Sequence, residues 1–105
     1  MTMEDVCQAF MDVESAIAKI IEGKTQFRRQ ALLGISRLNN EIGRVARSEP
    51  RRSFEMEQLQ LRVNAVTIAL KHGDVKMIRE AMDSARNLVI RVLEDDRRVE
   101  GRERA

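Results

Sequence analysis

Apolar residues at gaps of four and three recur through four successive stretches of this chain, and that spacing constrains the fold more than any other feature. In the first stretch Val6, Phe10, Val13, Ile17 and Ile20 follow gaps of four, three, four and three. A helix turns once in about 3.6 residues, so such a series lies along one side of it, and a mean gap near 3.5 is the period of helices packed on helices. Strands need alternation with a period of two, and none is sustained. Val and Ile occur at helical spacing, not in β-branched runs bounded by turn residues.

The stretches are punctuated as helices are. Thr2 is placed to cap the first, with Asp5 three residues on and Glu4 also favouring the positive end of the helix dipole; Gly23 supplies the left-handed residue that closes it. The second starts near Thr25 and carries Phe27, Ala31, Ile35, Leu38, Ile42 and Val45 inward until Pro50 stops it, because the residue before proline avoids helical geometry. Ser53 is expected to cap the third, which has Glu55 and Glu57 at its start and closes at Lys71, His72 and Gly73. Asp74 then caps the fourth, whose stripe is Val75, Ile78, Met82, Ala85, Val89 and Val92. The predicted spans are about 3–22, 26–47, 54–72 and 75–98. Residues 99–105 read as a charged tail that frays.

Short connections, above all Gly73 to Asp74, force neighbouring helices to run antiparallel. The expected fold is therefore all-α: two helical hairpins forming a single domain over residues 1–98 that resembles a four-helix bundle. With 43% hydrophobic residues, three Phe, six Met and neither Tyr nor Trp, its core must be aliphatic. At 105 residues the chain is long enough for one such core and short for two.

The third helix has one stripe too many. Met56, Leu59, Val63, Val66 and Leu70 lie on one side of it, while Phe54, Leu61 and Ile68 lie close to the opposite side. One buried face suffices for an amphipathic helix, so the second stripe asks for a second partner. Either the helix sits centrally and one chain buries both stripes, or the outer stripe meets another copy of the chain. The fourth helix also has a wide apolar arc, which Met77, Ala81, Leu88 and Val99 extend to one side. The reading favoured is a two-fold homodimer with Phe54, Leu61, Ile68, Met77 and Leu88 at the interface.

Charge is distributed unevenly behind a net charge of +2. Residues 1–22 are acidic, whereas residues 24–52 hold Lys24, Arg28, Arg29, Arg37, Arg44, Arg47, Arg51 and Arg52 against Glu41 and Glu49. On a helical projection Arg29, Arg37, Arg44 and Arg47 fall within about 80° of one another, opposite the buried stripe of the second helix. They form a ridge about 27 Å long, which Arg51 and Arg52 extend. Arginine's planar fork suits phosphate, so the alternative function is binding of duplex RNA or DNA through its backbone at these six residues. The near absence of aromatic residues argues against base stacking on single strands.

No catalytic constellation or metal-ligand spacing is present. His72 is the only histidine and stands at a helix end, where a cation complements the dipole. Cys7 is the only cysteine, which excludes an internal disulfide and a zinc cluster and fits a reducing, cytoplasmic compartment. Asp95 and Asp96 are adjacent and so point in different directions on a helix. No apolar run approaches the roughly 20 residues that cross a bilayer, and the acidic N-terminus is unlike a signal peptide. The expectation is a non-enzymatic helical interaction module, without cofactor or metal, that associates with itself and with a further protein partner as an adaptor or regulator.

Overall fold

The computed structural model describes the backbone over residues 3–104 and the side chains over residues 3–98. The described residues form four long helices and no strand: α1 (Met3–Ile21), α2 (Arg28–Ser48), α3 (Ser53–His72) and α4 (Val75–Arg104). Thr2, expected as the cap of α1, and the Val99 side chain lie outside the described residues.

The turns follow from local chemistry. Gly23 adopts φ 99°, and the two amides after α1 fold back: Gly23 N–H donates to the Ile20 carbonyl and Lys24 N–H to that of Lys19, both at 2.9 Å. This pairing satisfies carbonyls that the helix end would orphan. A single 3₁₀ turn, Thr25–Phe27, then runs directly into α2. Phe27 is half-buried there, and the Lys19 ammonium lies 4.4 Å from its ring centroid. At the other end of α2, Glu49 is extended (φ −129°, ψ 83°), as a residue before proline must be.

Ser53 does not cap α3. Pro50 opens a 3₁₀ turn, Pro50–Arg52, that flows into the helix, and the Ser53 N–H already donates to the Pro50 carbonyl. The proline sets the helical course three residues early, so Ser53 is helical itself. Gly73 ends α3 in the left-handed conformation, its N–H bonded to the Ala69 carbonyl at 3.0 Å. Asp74 caps α4 as expected: its Oδ1 accepts from the amides of Lys76 at 3.0 Å and Met77 at 3.3 Å. α4 continues to Arg104, past the expected end near Arg98. Glu and Arg are good helix formers, and a single Gly101 costs only about 1 kcal/mol without stopping the helix.

Each stripe turns inward. Val6, Phe10, Val13 and Ile17 from α1, Ala31, Ile35, Leu38, Ile42 and Val45 from α2, Met56, Leu59, Val63, Val66 and Leu70 from α3, and Ile78, Met82, Ala85, Val89 and Val92 from α4 are all buried. Ile20 and Phe27 are only half-buried, and Val75 is exposed, because each sits where its helix meets a turn. Each fully buried side chain of Val or Leu size contributes about 1.5–3 kcal/mol. α1 packs on α2, α2 on α3 and α3 on α4; the contact between α1 and α4 is slight. The molecule measures 49 × 22 × 18 Å.

Polar ties connect the helices around this core. Arg28 donates to the Lys71 carbonyl at 3.2 Å, Gln60 to Asn39 Oδ1 at 2.8 Å, and Arg62 to the Ser84 carbonyl at 2.8 Å. Arg86 clasps Glu14 Oε2 through Nε at 2.7 Å and through Nη2, linking α4 to α1.

Candidate association surface

The second stripe of α3 is not covered by the chain. Phe54, Leu61 and Ile68 are 70%, 57% and 51% exposed, spaced seven residues apart on the side away from the core. At about 1.5 Å per residue they span about 21 Å of helix surface. A centrally placed α3 that buries both stripes is therefore excluded. The opposite stripe, Met56, Leu59, Val63, Val66 and Leu70, seats α3 on the core, and Gln60 ties α3 to α2 and Arg62 ties it to α4 along the flanks between the two stripes.

Two further apolar residues widen the surface. Leu32 is 37% exposed, and on a helical projection it lies on the same side of α2 as Asn39, the residue that meets α3. Met77, 39% exposed, lies on the same side of α4 as Ser84, which meets Arg62. Leu88 is different. It is 6% exposed and belongs to the core of the chain: it lies on nearly the same side of α4 as Met77 but in the body of the helix, whereas Met77 stands in the first turn. Its place in the apolar arc of α4 could be read from spacing; which part of that arc a neighbouring helix covers could not.

The basic residues of α2 divide in the same way. Arg29, Arg37, Arg44, Arg47 and Arg51 are exposed. Arg44 is engaged with Glu41 at 3.0 Å, and the Arg47 guanidinium lies over Gly43. Arg52 leaves the ridge altogether. It is buried at the junction of α2 and α3, where its Nε faces Glu49 Oε2 at 2.5 Å and its Nη2 bonds Asp96 of α4. Those carboxylates outweigh the opposing effect of burial and raise its already high pKa, so it stays charged. The Arg52 clamp joins residues 44 apart, and no local signal announces it.

Around the clamp, burial pushes the Glu55 carboxyl above its usual range; Arg52 pulls against that shift, and Asp95 and Asp96 add to it. Burial, with the carboxylates of Asp96 and Glu4, also raises the pKa of the half-buried Cys7 thiol, which favours the unreactive protonated form. His72 is exposed at the end of α3. Among the described residues no group of three or more His, Cys, Asp or Glu side chains is placed to hold a metal ion. Two grooves open between helices. One, between α1 and α2, is lined by Asp12, Ser15, Gln30, Leu33, Gly34 and Arg37; the other, between α1 and α4, is bridged by the Glu14–Arg86 pair. No helix among the described residues is long and apolar enough to cross a membrane.

No protein-family model, curated protein or solved structure matches this chain.

Proposed function

We propose that this chain is a non-enzymatic helical interaction module that works as a homodimer, acting as an adaptor or regulator for a further protein partner in a reducing, cytoplasmic compartment. The observation that carries the reading is the row of Phe54, Leu61 and Ile68, three large apolar side chains more than half exposed on one side of α3. Scattered exposed apolar residues are ordinary, but a row at heptad spacing is the pattern of a helix that packs on another. Met77 belongs to the same surface, and Leu32 joins it. Within each copy the reading is an up-down bundle of two antiparallel hairpins. The ties Arg28 to Lys71, Gln60 to Asn39 and Arg62 to Ser84 support this order, since each joins an earlier part of one helix to a later part of the next or mid-helix to mid-helix.

Leu61→Glu tests the association. The wild-type chain is expected to sediment at twice the 12.1 kDa of one copy, with a melting temperature that rises with concentration. The variant is expected to remain helical at 12.1 kDa and lose that dependence. A wild-type chain that stays at 12.1 kDa through the concentration series overturns the dimer.

A second reading is favoured by the exposure of Arg29, Arg37, Arg44, Arg47 and Arg51 along α2 and the turn after it. Guanidinium groups in a row at helical rise suit the phosphates of duplex RNA or DNA, bound by shape and charge. Arg52, held by Glu49 and Asp96, takes no part in it.

A further inference from the structure

We propose that α3 docks antiparallel on α3 of a second copy, the two helices crossing at Ala65 about a two-fold axis. The inference rests on the homodimer reading above and specifies how the copies meet.

Ala65 is exposed and lies within about 60° of Phe54, Leu61 and Ile68 on a helical projection. Its single methyl group is the smallest apolar side chain on that side, so it marks where two backbones approach most closely. Leu61 stands four residues before it and Ile68 three after. A two-fold axis there sets Leu61 against the partner's Ile68, and by symmetry the same pair forms again. One heptad outward, Phe54 lies toward the C-terminal end of the partner's α3, beyond Ile68, where the α3–α4 turn leaves Val75 41% exposed.

Charge chooses the direction. α3 begins with Glu55 and Glu57 and ends with Lys71 and His72. The antiparallel crossing brings Glu57 beside the partner's Lys71 and opposes the two helix dipoles. A parallel pair stacks acids on acids and bases on bases and aligns the dipoles. Glu57 and Lys71 are both exposed and so free to meet across such an interface.

Cysteine cross-linking in a Cys7→Ser background tests the geometry, after sedimentation has established the mass of each variant. A65C is expected to form a covalent dimer on mild oxidation, because a disulfide needs Cα atoms about 4.4–6.8 Å apart and, among pairs of the same residue, only those at the crossing meet that limit. L61C alone is expected to stay uncross-linked, its two copies each standing four residues from the crossing and so about 12 Å apart along the helix direction. Mixed L61C and I68C proteins are expected to give a covalent heterodimer. Ile90→Cys, exposed on the far side of α4 from Met77, is the control for random collision. Self-cross-linking of F54C, L61C and I68C alike marks a parallel pair and overturns the proposal. A chain that sediments as a dimer while A65C cross-links no faster than I90C overturns the crossing and leaves the homodimer standing; a monomer overturns both.

Discussion

Glu55 carries a cost that its position in the sequence hides. A carboxylate in the first turn complements the helix dipole, yet burial and the nearby Asp95 and Asp96 push its pKa up, with Arg52 and Arg51 only partly opposing them. A folded-state pKa above the unfolded one means that the folded chain binds the proton more tightly. The stability Glu55 contributes is therefore present below its unfolded pKa and lost as pH rises through the folded value. Glu55→Gln removes that loss. Its stability relative to wild type, measured by urea unfolding from about pH 4 to pH 7, is expected to increase with pH, since the unfolded carboxyl titrates near 4.3. A difference that is flat across the range contradicts the assignment. Arg52 shows the same limit of local reading. As part of a basic run it looks like a surface cation, and only Asp96, far along the chain, makes it a buried clamp.

At the scale of the helices, two glycines inside α2 do different things. A Cβ on Gly34 would stand 3.1 Å from Val13 Cγ2, so α1 and α2 approach each other closely at this glycine. A Cβ on Gly43 would meet only the Arg47 guanidinium at 3.3 Å, the far end of a flexible side chain that can swing aside. Alanine gains about 1 kcal/mol over glycine in a helix interior. Gly43→Ala is therefore expected to stabilise the fold by about 0.5–1 kcal/mol, while in Gly34→Ala the shift forced on Val13 offsets the same gain. Chemical denaturation compares them; equal stabilisation by both variants rules out the close approach at Gly34. The helices themselves were legible from spacing, because a stripe such as Ile35, Leu38, Ile42 and Val45 encodes its own buried side. Their ends were less so. Gly23, Pro50, Gly73 and Asp74 acted as their chemistry requires, whereas Ser53 lost its capping role to the turn that Pro50 starts.

Across the whole molecule, the apolar surface centres on α3 and the basic one on α2, with Leu32 the α2 residue that joins the former. α3, with flanks from α2 and α4, presents Phe54, Leu61, Ile68, Leu32 and Met77, while the outer side of α2 presents its arginines. An association through α3 thus leaves the basic ridge open to solvent, which makes the two readings separable by experiment. Arg37→Glu/Arg44→Glu is expected to elute from heparin at lower salt than wild type and to weaken any shift of duplex RNA or DNA, with the largest effect at low ionic strength. Unchanged retention removes the ridge as a polyanion site. The same variant is expected to keep the sedimented mass of wild type, since neither arginine lies on the apolar surface of α3.

The sequence by itself determined that the described chain is helical, where its turns fall and which stripe of each helix is buried, because those properties arise from periodicity and from the backbone preferences of Gly, Pro and Asp. It also marked Phe54, Leu61 and Ile68 as a second stripe. Only the tertiary structure decided that this stripe faces outward, that Leu88 is core and that Arg52 is a clamp. Each depends on which neighbouring helix covers a given flank. That choice is made by contacts between residues far apart in the chain, such as Arg62 with Ser84 and Arg52 with Asp96, and no local pattern records it.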